Sequence, residues 1–281
     1  MENQLEEIRD QQKQSWNKFS PGWKKWDEFN MRFLKPMGDA IIDNLKIKDG
    51  YDVLDIAAGT GEPGLTIAAL TPNGTVTGTD LAEGMLEIAR ANAAAKGVKN
   101  YKAQIADVSE LPFDTESFNA VSCRMGFMFF PDMQLAANQI YRVLKPGGRF
   151  ATAVWAGPEQ NNWVTTIMSV IQKHVILPAP APGAPGMFRC AKPDVVVNLL
   201  KQAGFNDITQ SEIAGQVDYG SFDRYWQMML EVGAPIVAAM SQADEPTRNK
   251  IKEEVAALFQ SQNTSGTALL NYGALVISAQ K

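Results

Sequence analysis

Residues 51–64 read YDVLDIAAGTGEPG, an apolar run closed by Asp55 and followed by a glycine-dense turn. A run of this kind predicts a buried strand, and the turn after it predicts a tight loop that opens a helix. Gly59, Gly61 and Gly64 form a G-x-G-x-x-G. Their missing Cβ atoms let the backbone turn sharply and let a ligand approach closely. By itself the pattern serves a nicotinamide dinucleotide as well as other nucleotide-like ligands.

Outward from this stretch the alternation continues. TVTGTD ending at Asp80, Tyr101–Ile105 and the apolar run SFNAVSCRMGFMFF predict further strands. Between them LAEGMLEIARANAAAKG has apolar positions at Leu81, Met85, Ile88 and Ala89 and a closing Gly97, as an amphipathic helix requires. A helix over about 133–144 stops at Lys145-Pro146-Gly147-Gly148, before a fifth strand, RFATAVWA. Strand, turn and helix repeated four times predict an α/β fold, a Rossmann-like doubly wound, mostly parallel sheet with helices on both faces.

Upstream, aromatic residues at helical spacing predict two short helices broken at Ser20-Pro21-Gly22, and a helix from about Lys35 to Leu45 leads into the first strand. Downstream, helices are predicted over about 162–175, 192–204, 221–232 and 245–260, with strands over 205–219 and 268–280. LPAPAPGAPG, residues 177–186, cannot be helical throughout and predicts an extended connector or lid.

The 281 residues are 45% hydrophobic and carry a net charge of -5, so a substantial core is available but no basic surplus for nucleic acid. MENQLEEIRDQQKQ, at the N-terminus, is polar where a signal peptide would be basic and then apolar, and no window reaches the ~18 apolar residues of a membrane span. A cytoplasmic protein with no membrane span is expected; nothing sets its oligomeric state. Two cysteines, Cys123 and Cys190, and one histidine, His174, are too few for a disulfide scaffold or a histidine-rich metal site. No metal is expected.

In an open α/β sheet, ligands bind beyond the carboxyl ends of the strands. The loops there carry Asp55 with the glycines, Asp80, Asp107-Val108 and Cys123-Arg124-Met125. Asp80 lies nineteen residues beyond Gly61, where an acid can accept from ribose hydroxyls. A pyrophosphate gains nothing from a carboxylate just upstream of its cradle, whereas a ligand with a cationic end does.

This constellation, Asp55-Ile-Ala-Ala-Gly59-Thr-Gly61 with Asp80, Ala106-Asp107 and the later LKPGG, resembles the class I S-adenosylmethionine-dependent methyltransferases. Leu111-Pro112-Phe113 and Arg142 through Gly148 are similar to the branch of ubiquinone/menaquinone-biosynthesis and small-molecule methyltransferases. CRMGFMFFPD departs from it, because the quinone enzymes carry an Arg-Asn pair in this loop. The resemblance implies about seven strands with the last antiparallel, and S-adenosylmethionine as cofactor. The order of predicted elements divides the chain into an N-terminal helical cap over residues 1–45, a cofactor-binding core over 46–156, and cap insertions with the final strands over 157–281.

Carried over, it sets the cofactor against Ala57, Gly59, Thr60 and Gly61, with Asp55 near its amino group and Asp80 on the ribose. Leu81 and Met85 would flank the adenosine, Ala106, Asp107 and Val108 the adenine, and Arg124 and Met125 the methionyl end. The aromatic and methionine-rich cap predicts a small, largely apolar, ring-bearing substrate, with Trp16, Phe19, Met128 and Trp226 as its contacts. Methyl transfer from a sulfonium needs mainly proximity and orientation. No catalytic residue is assigned, although His174 is a base by type. Two alternatives stand: a nicotinamide-dependent reductase and a non-catalytic cofactor-binding sensor.

Overall fold

The computed structural model describes residues 2–177, 183–262 and 269–281. The chain opens with one helix, α1 (Glu2–Lys25), where two were predicted. Pro21 has no N–H for the carbonyl of Asn17, but the Ser20 hydroxyl donates to that carbonyl at 2.9 Å and the helix runs on. The interruption comes at Trp26, at φ -100° and ψ 14°, after which α2 (Asp27–Leu45) starts eight residues earlier than predicted. Trp26 N still donates to Gly22 O at 3.0 Å and Asn30 N to Trp26 O at 2.8 Å, so both helices keep one register.

The predicted alternation follows as β1 (Asp52–Ile56), α3 (Gly64–Leu70), β2 (Thr75–Asp80), α4 (Glu83–Ala95), β3 (Tyr101–Ile105), β4 (Phe118–Arg124), α5 (Met133–Val143) and β5 (Leu144–Trp155). Lys145 through Gly148 lie inside β5, and a register shift against β4 between Phe118 and Ala120 absorbs them. Then come α6 (Asn162–His174), α7 (Val195–Ala203), β6 (Asn206–Asp218), α8 (Phe222–Val232), α9 (Ala234–Met240), α10 (Glu245–Gln262) and β7 (Leu269–Gln280). No helix was predicted over α9; its Pro235 stands in the first turn, where a proline is tolerated and starts a helix. Of the predicted connector, residues 178–182 lie outside the described residues.

The strands form one seven-stranded sheet in the order β3-β2-β1-β4-β5-β7-β6. β1 through β5 pair in parallel, and β7 runs antiparallel to β5 from Arg149↔Gln280 to Trp155↔Ala274. The order reverses between β1 and β4, the place where such sheets open a crevice at their carboxyl ends. Val53 and Leu54 of β1 and Ala120 and Val121 of β4 are all fully buried.

Two compact units result. Residues 1–155, 185–213 and 274–281 hold the parallel strands with α1 and α2, and residues 156–184 and 214–273 hold α6 and α8 to α10. The second unit packs around Tyr225, whose hydroxyl donates to Trp163 O at 2.9 Å and whose ring lies 5.0 Å from Tyr219 and 5.1 Å from Phe259.

Candidate functional site

The loop after β1 is tied down by its acid. Asp55 is fully buried; its Oδ2 accepts from Gly64 N at 3.1 Å and its Oδ1 from the Ser122 hydroxyl at 2.6 Å. Burial pushes its carboxyl up to about 7, although both hydrogen bonds and the Arg124 charge favour the ionised form. A Cβ at Gly64 would stand 2.8 Å from Asp55 Oδ2 and 2.9 Å from Tyr101 Cε2, so the close approach needs glycine. Thus Asp55, expected beside a ligand's amino group, fastens the glycine turn to β4 with both oxygens engaged. Gly61, at φ +110°, makes the turn, while the Cβ position of Gly59 has no atom within 4 Å, leaving that face of the loop open.

Asp80 joins this loop to the one after β2. Its Oδ2 accepts from Gly59 N at 3.0 Å and its Oδ1 from Ala82 N at 2.9 Å, and burial raises its pKa against those bonds. Each oxygen retains a lone pair for a hydroxyl. Ala106 N donates to Asp80 O at 3.2 Å, so the loop after β3 is joined as well. Asp107 accepts from Ser109 N at 2.8 Å and lies 3.7 Å from Arg9 Nη1, while Val108 is buried. Met85 is buried and Leu81 half-buried at the start of α4.

Ala57, at φ 54°, and Met125, at φ 58°, are non-glycine residues in the left-handed region. Such positions cost on the order of 1–3 kcal/mol and collect at ligand sites. The loops after β1 and β4 touch here: a Cβ on Gly126 would meet Ala57 Cβ at 2.5 Å. Arg124 is half-buried, and burial lowers its pKa against the charges of Asp55, Glu62 and Asp27. It borders a cleft of about 280 Å³ whose lining includes Met31, Lys35, Gly38, Glu62 and Pro63.

The expected substrate contacts divide. Trp16 is half-buried, its ring edge-on to Trp23 at 6.0 Å and to Phe129 at 5.4 Å. Phe19 is buried, and Met128 fully so, with its carbonyl accepting from Gly186 N at 3.3 Å. Trp226 belongs to the second unit, 6.0 Å from the Phe222 ring. His174, in the same unit, shares a 2.9 Å hydrogen bond with Glu254 Oε1, which lowers the Glu254 pKa. Cys123 and Cys190 are free and buried, and burial pushes both thiols up to about 12. Among the described residues no group of three or more His, Cys, Asp or Glu is placed to hold a metal ion, and no helix is long and apolar enough to cross a membrane.

Asn17, Asp27, Asn30 and Asn92, which the sequence did not single out, join Thr60 and Trp23 to complete the setting. Asn17 of α1 accepts from Gly84 N at 2.9 Å, anchoring α1 at the start of α4. Trp23 Nε1, Asp27 Oδ1, Asn30 Nδ2 and Thr60 Oγ1 are buried with no hydrogen-bond partner. Asn92 Nδ2 donates to Asp27 Oδ2 at 3.1 Å and to Thr60 O at 2.9 Å, bringing α2 to the glycine loop. Polar atoms left unpaired inside a protein call for a partner, a water or a ligand. The available signal was polar residues at i, i+4 and i+7 in an aromatic helical stretch. An open glycine face, an acid with spare lone pairs and unpaired polar atoms together fit a nucleoside that carries a polar, charged tail.

Residues 53–148 match the family described as methyltransferase domain. An uncharacterised protein of Mycobacterium tuberculosis is 35% identical over 122 residues, 43% of each chain. A demethylmenaquinone methyltransferase of Thermus thermophilus is 40% identical over 106 residues, 38% of this chain and 48% of that one. The chain therefore spans under half the length of these relatives. The YcgJ protein of Bacillus subtilis shares the fold, with a TM-score of 0.59 at 20% identity over 87% of this chain and 97% of that one.

Proposed function

We propose, from the premise that this chain belongs to the class I S-adenosylmethionine-dependent methyltransferase superfamily, that it methylates a small, largely apolar, ring-bearing metabolite in the cytoplasm. The observation that carries the reading is the junction at Asp80, which holds Gly59 N at 3.0 Å and keeps lone pairs for ribose hydroxyls beside an open glycine face. The likeness to a demethylmenaquinone methyltransferase supports a ring-bearing substrate. Phe129 and Phe130 stand near the place of the quinone enzymes' Arg-Asn pair, so a quinone is not assigned.

S-adenosylmethionine, when bound, supplies a methyl group already activated on a sulfonium. The protein's own work is to hold, orient and dry the reacting centre. In this reading Asp80 takes the ribose, Leu81 and Met85 flank the adenosine, and Ala106, Asp107 and Val108 border the adenine. Ala57, Gly59, Thr60 and Gly61 seat the amino-acid portion, and Arg124 and Met125 stand by the methyl end. Trp16 and Phe129 supply aromatic wall that keeps water from that end. No general base is assigned.

Calorimetric titration with S-adenosylhomocysteine and with reduced nicotinamide dinucleotide tests the premise: binding of the first alone is expected, and tight binding of the dinucleotide alone would make the protein a reductase. Incubation with methyl-labelled cofactor and a metabolite extract tests turnover. A labelled small molecule is expected, whereas cofactor binding without labelled product at any pH would make it a sensor.

A further inference from the structure

We infer that the N-terminal helices carry a polar clamp for the amino-acid end of the cofactor, formed by Trp23, Asp27 and Asn30 with Thr60 of the glycine loop; this rests on the S-adenosylmethionine reading above. α1 and α2 keep one register across Trp26, so positions 23, 27 and 30 share a helical face. Asn92 fastens that face to the glycine loop through its two bonds, to Asp27 Oδ2 and to Thr60 O. Asn30 and Thr60 are each only 3% exposed, yet Asn30 Nδ2 and Thr60 Oγ1 make no hydrogen bond, and neither do the buried Trp23 Nε1 and Asp27 Oδ1. A buried polar atom without a partner is costly unless a water or a ligand supplies one.

The four atoms are chemically selective. Indole N–H, amide N–H and hydroxyl are three donors, and the carboxylate oxygen is one anionic acceptor. This set complements an α-amino acid zwitterion, whose carboxylate accepts from Trp23, Asn30 and Thr60 and whose ammonium donates to Asp27. A phosphate dianion has no proton to donate to the Asp27 carboxylate, and an uncharged sugar carries no opposite charge for it. Asp55, the acid the sequence suggested for the ammonium, is fully buried against Ser122 and Gly64, whereas Asp27 Oδ1 has no partner. Asp27 therefore takes the role expected of Asp55.

The test compares two probes, S-adenosylhomocysteine, which has the amino-acid end, and 5′-methylthioadenosine, which lacks it, by calorimetry on the full chain. Asp27→Asn and Thr60→Val are expected to weaken S-adenosylhomocysteine by about tenfold or more and to leave methylthioadenosine within about twofold. Thermal melts establish that each variant is folded, and Thr60→Val, nearly isosteric, carries the test if Asp27→Asn does not fold. Folded variants that bind S-adenosylhomocysteine as the parent does, or that lose both probes equally, would overturn the clamp while the cofactor reading stood. A parent protein that binds neither probe would overturn the cofactor reading itself.

Discussion

Replacing Asp55 by Asn removes a carboxyl that burial holds at about 7 against an ordinary 3.8. The folded protein grips this proton more tightly than the unfolded chain does. Its contribution to stability is therefore fully present below the unfolded value and is lost as pH rises to about 7. The whole loss amounts to about 4 kcal/mol, taking 1.36 kcal/mol for each pH unit between the two values. Asn can keep the Ser122 hydroxyl bond, which the parent makes at 2.6 Å, but its amide group cannot also accept from Gly64 N. That defect is the same at every pH, so the pH dependence isolates the carboxyl.

Between pH 5 and pH 8 the stability of Asp55→Asn, measured against the parent, should rise by about 2–3 kcal/mol. Urea denaturation followed by the fluorescence of the six tryptophans, run on both proteins at each pH, gives the difference. A difference that stays constant over this range, or a variant that loses further stability against the parent as pH rises, would refute a buried, proton-retaining Asp55.

Asp80→Ala removes the acceptor for Gly59 N and Ala82 N and, in the proposed function, for the ribose; S-adenosylhomocysteine affinity should fall about 10- to 100-fold by calorimetry, and an unchanged affinity would remove Asp80 from the site. Tyr225→Phe deletes the 2.9 Å bond to Trp163 O inside the second unit and should cost about 1 kcal/mol in a denaturant melt, a parental midpoint showing that the bond contributes nothing.

Much of the sheet was readable because its signals are local. The span of β3, Tyr101–Ile105, coincides with the run of sequence that announced it, and β2 ends at the predicted Asp80. Spacing along a βα unit likewise put an acid, Asp80, at the end of β2 beside the glycine loop. The errors have long-range or competing causes. Pro21 signalled a break that the Ser20 hydroxyl averted, and the join fell at Trp26, which no breaker residue marks. α9, at seven residues, is too short to show a clear helical period. Asp27 and Asn30 carried only a weak periodic signal until Asn92, 65 residues from Asp27, brought their helix to the glycine loop.

Asp55 and Asp80 show the division most clearly. Both are acids near the carboxyl ends of neighbouring parallel strands, and the sequence by itself determined that alternation, the order of the loops and the presence of an acid in each. It could not determine how each carboxyl is buried and which partners it has. Ser122 lies 67 residues from Asp55 in the chain, and its hydroxyl, the N–H of Gly64 and the surrounding core close off that carboxylate. Asp80, half-buried and bonded only through backbone N–H groups, keeps acceptor capacity. Only the tertiary structure decided this, because a carboxyl's charge and its open lone pairs depend on burial and on partners that chain order does not reveal.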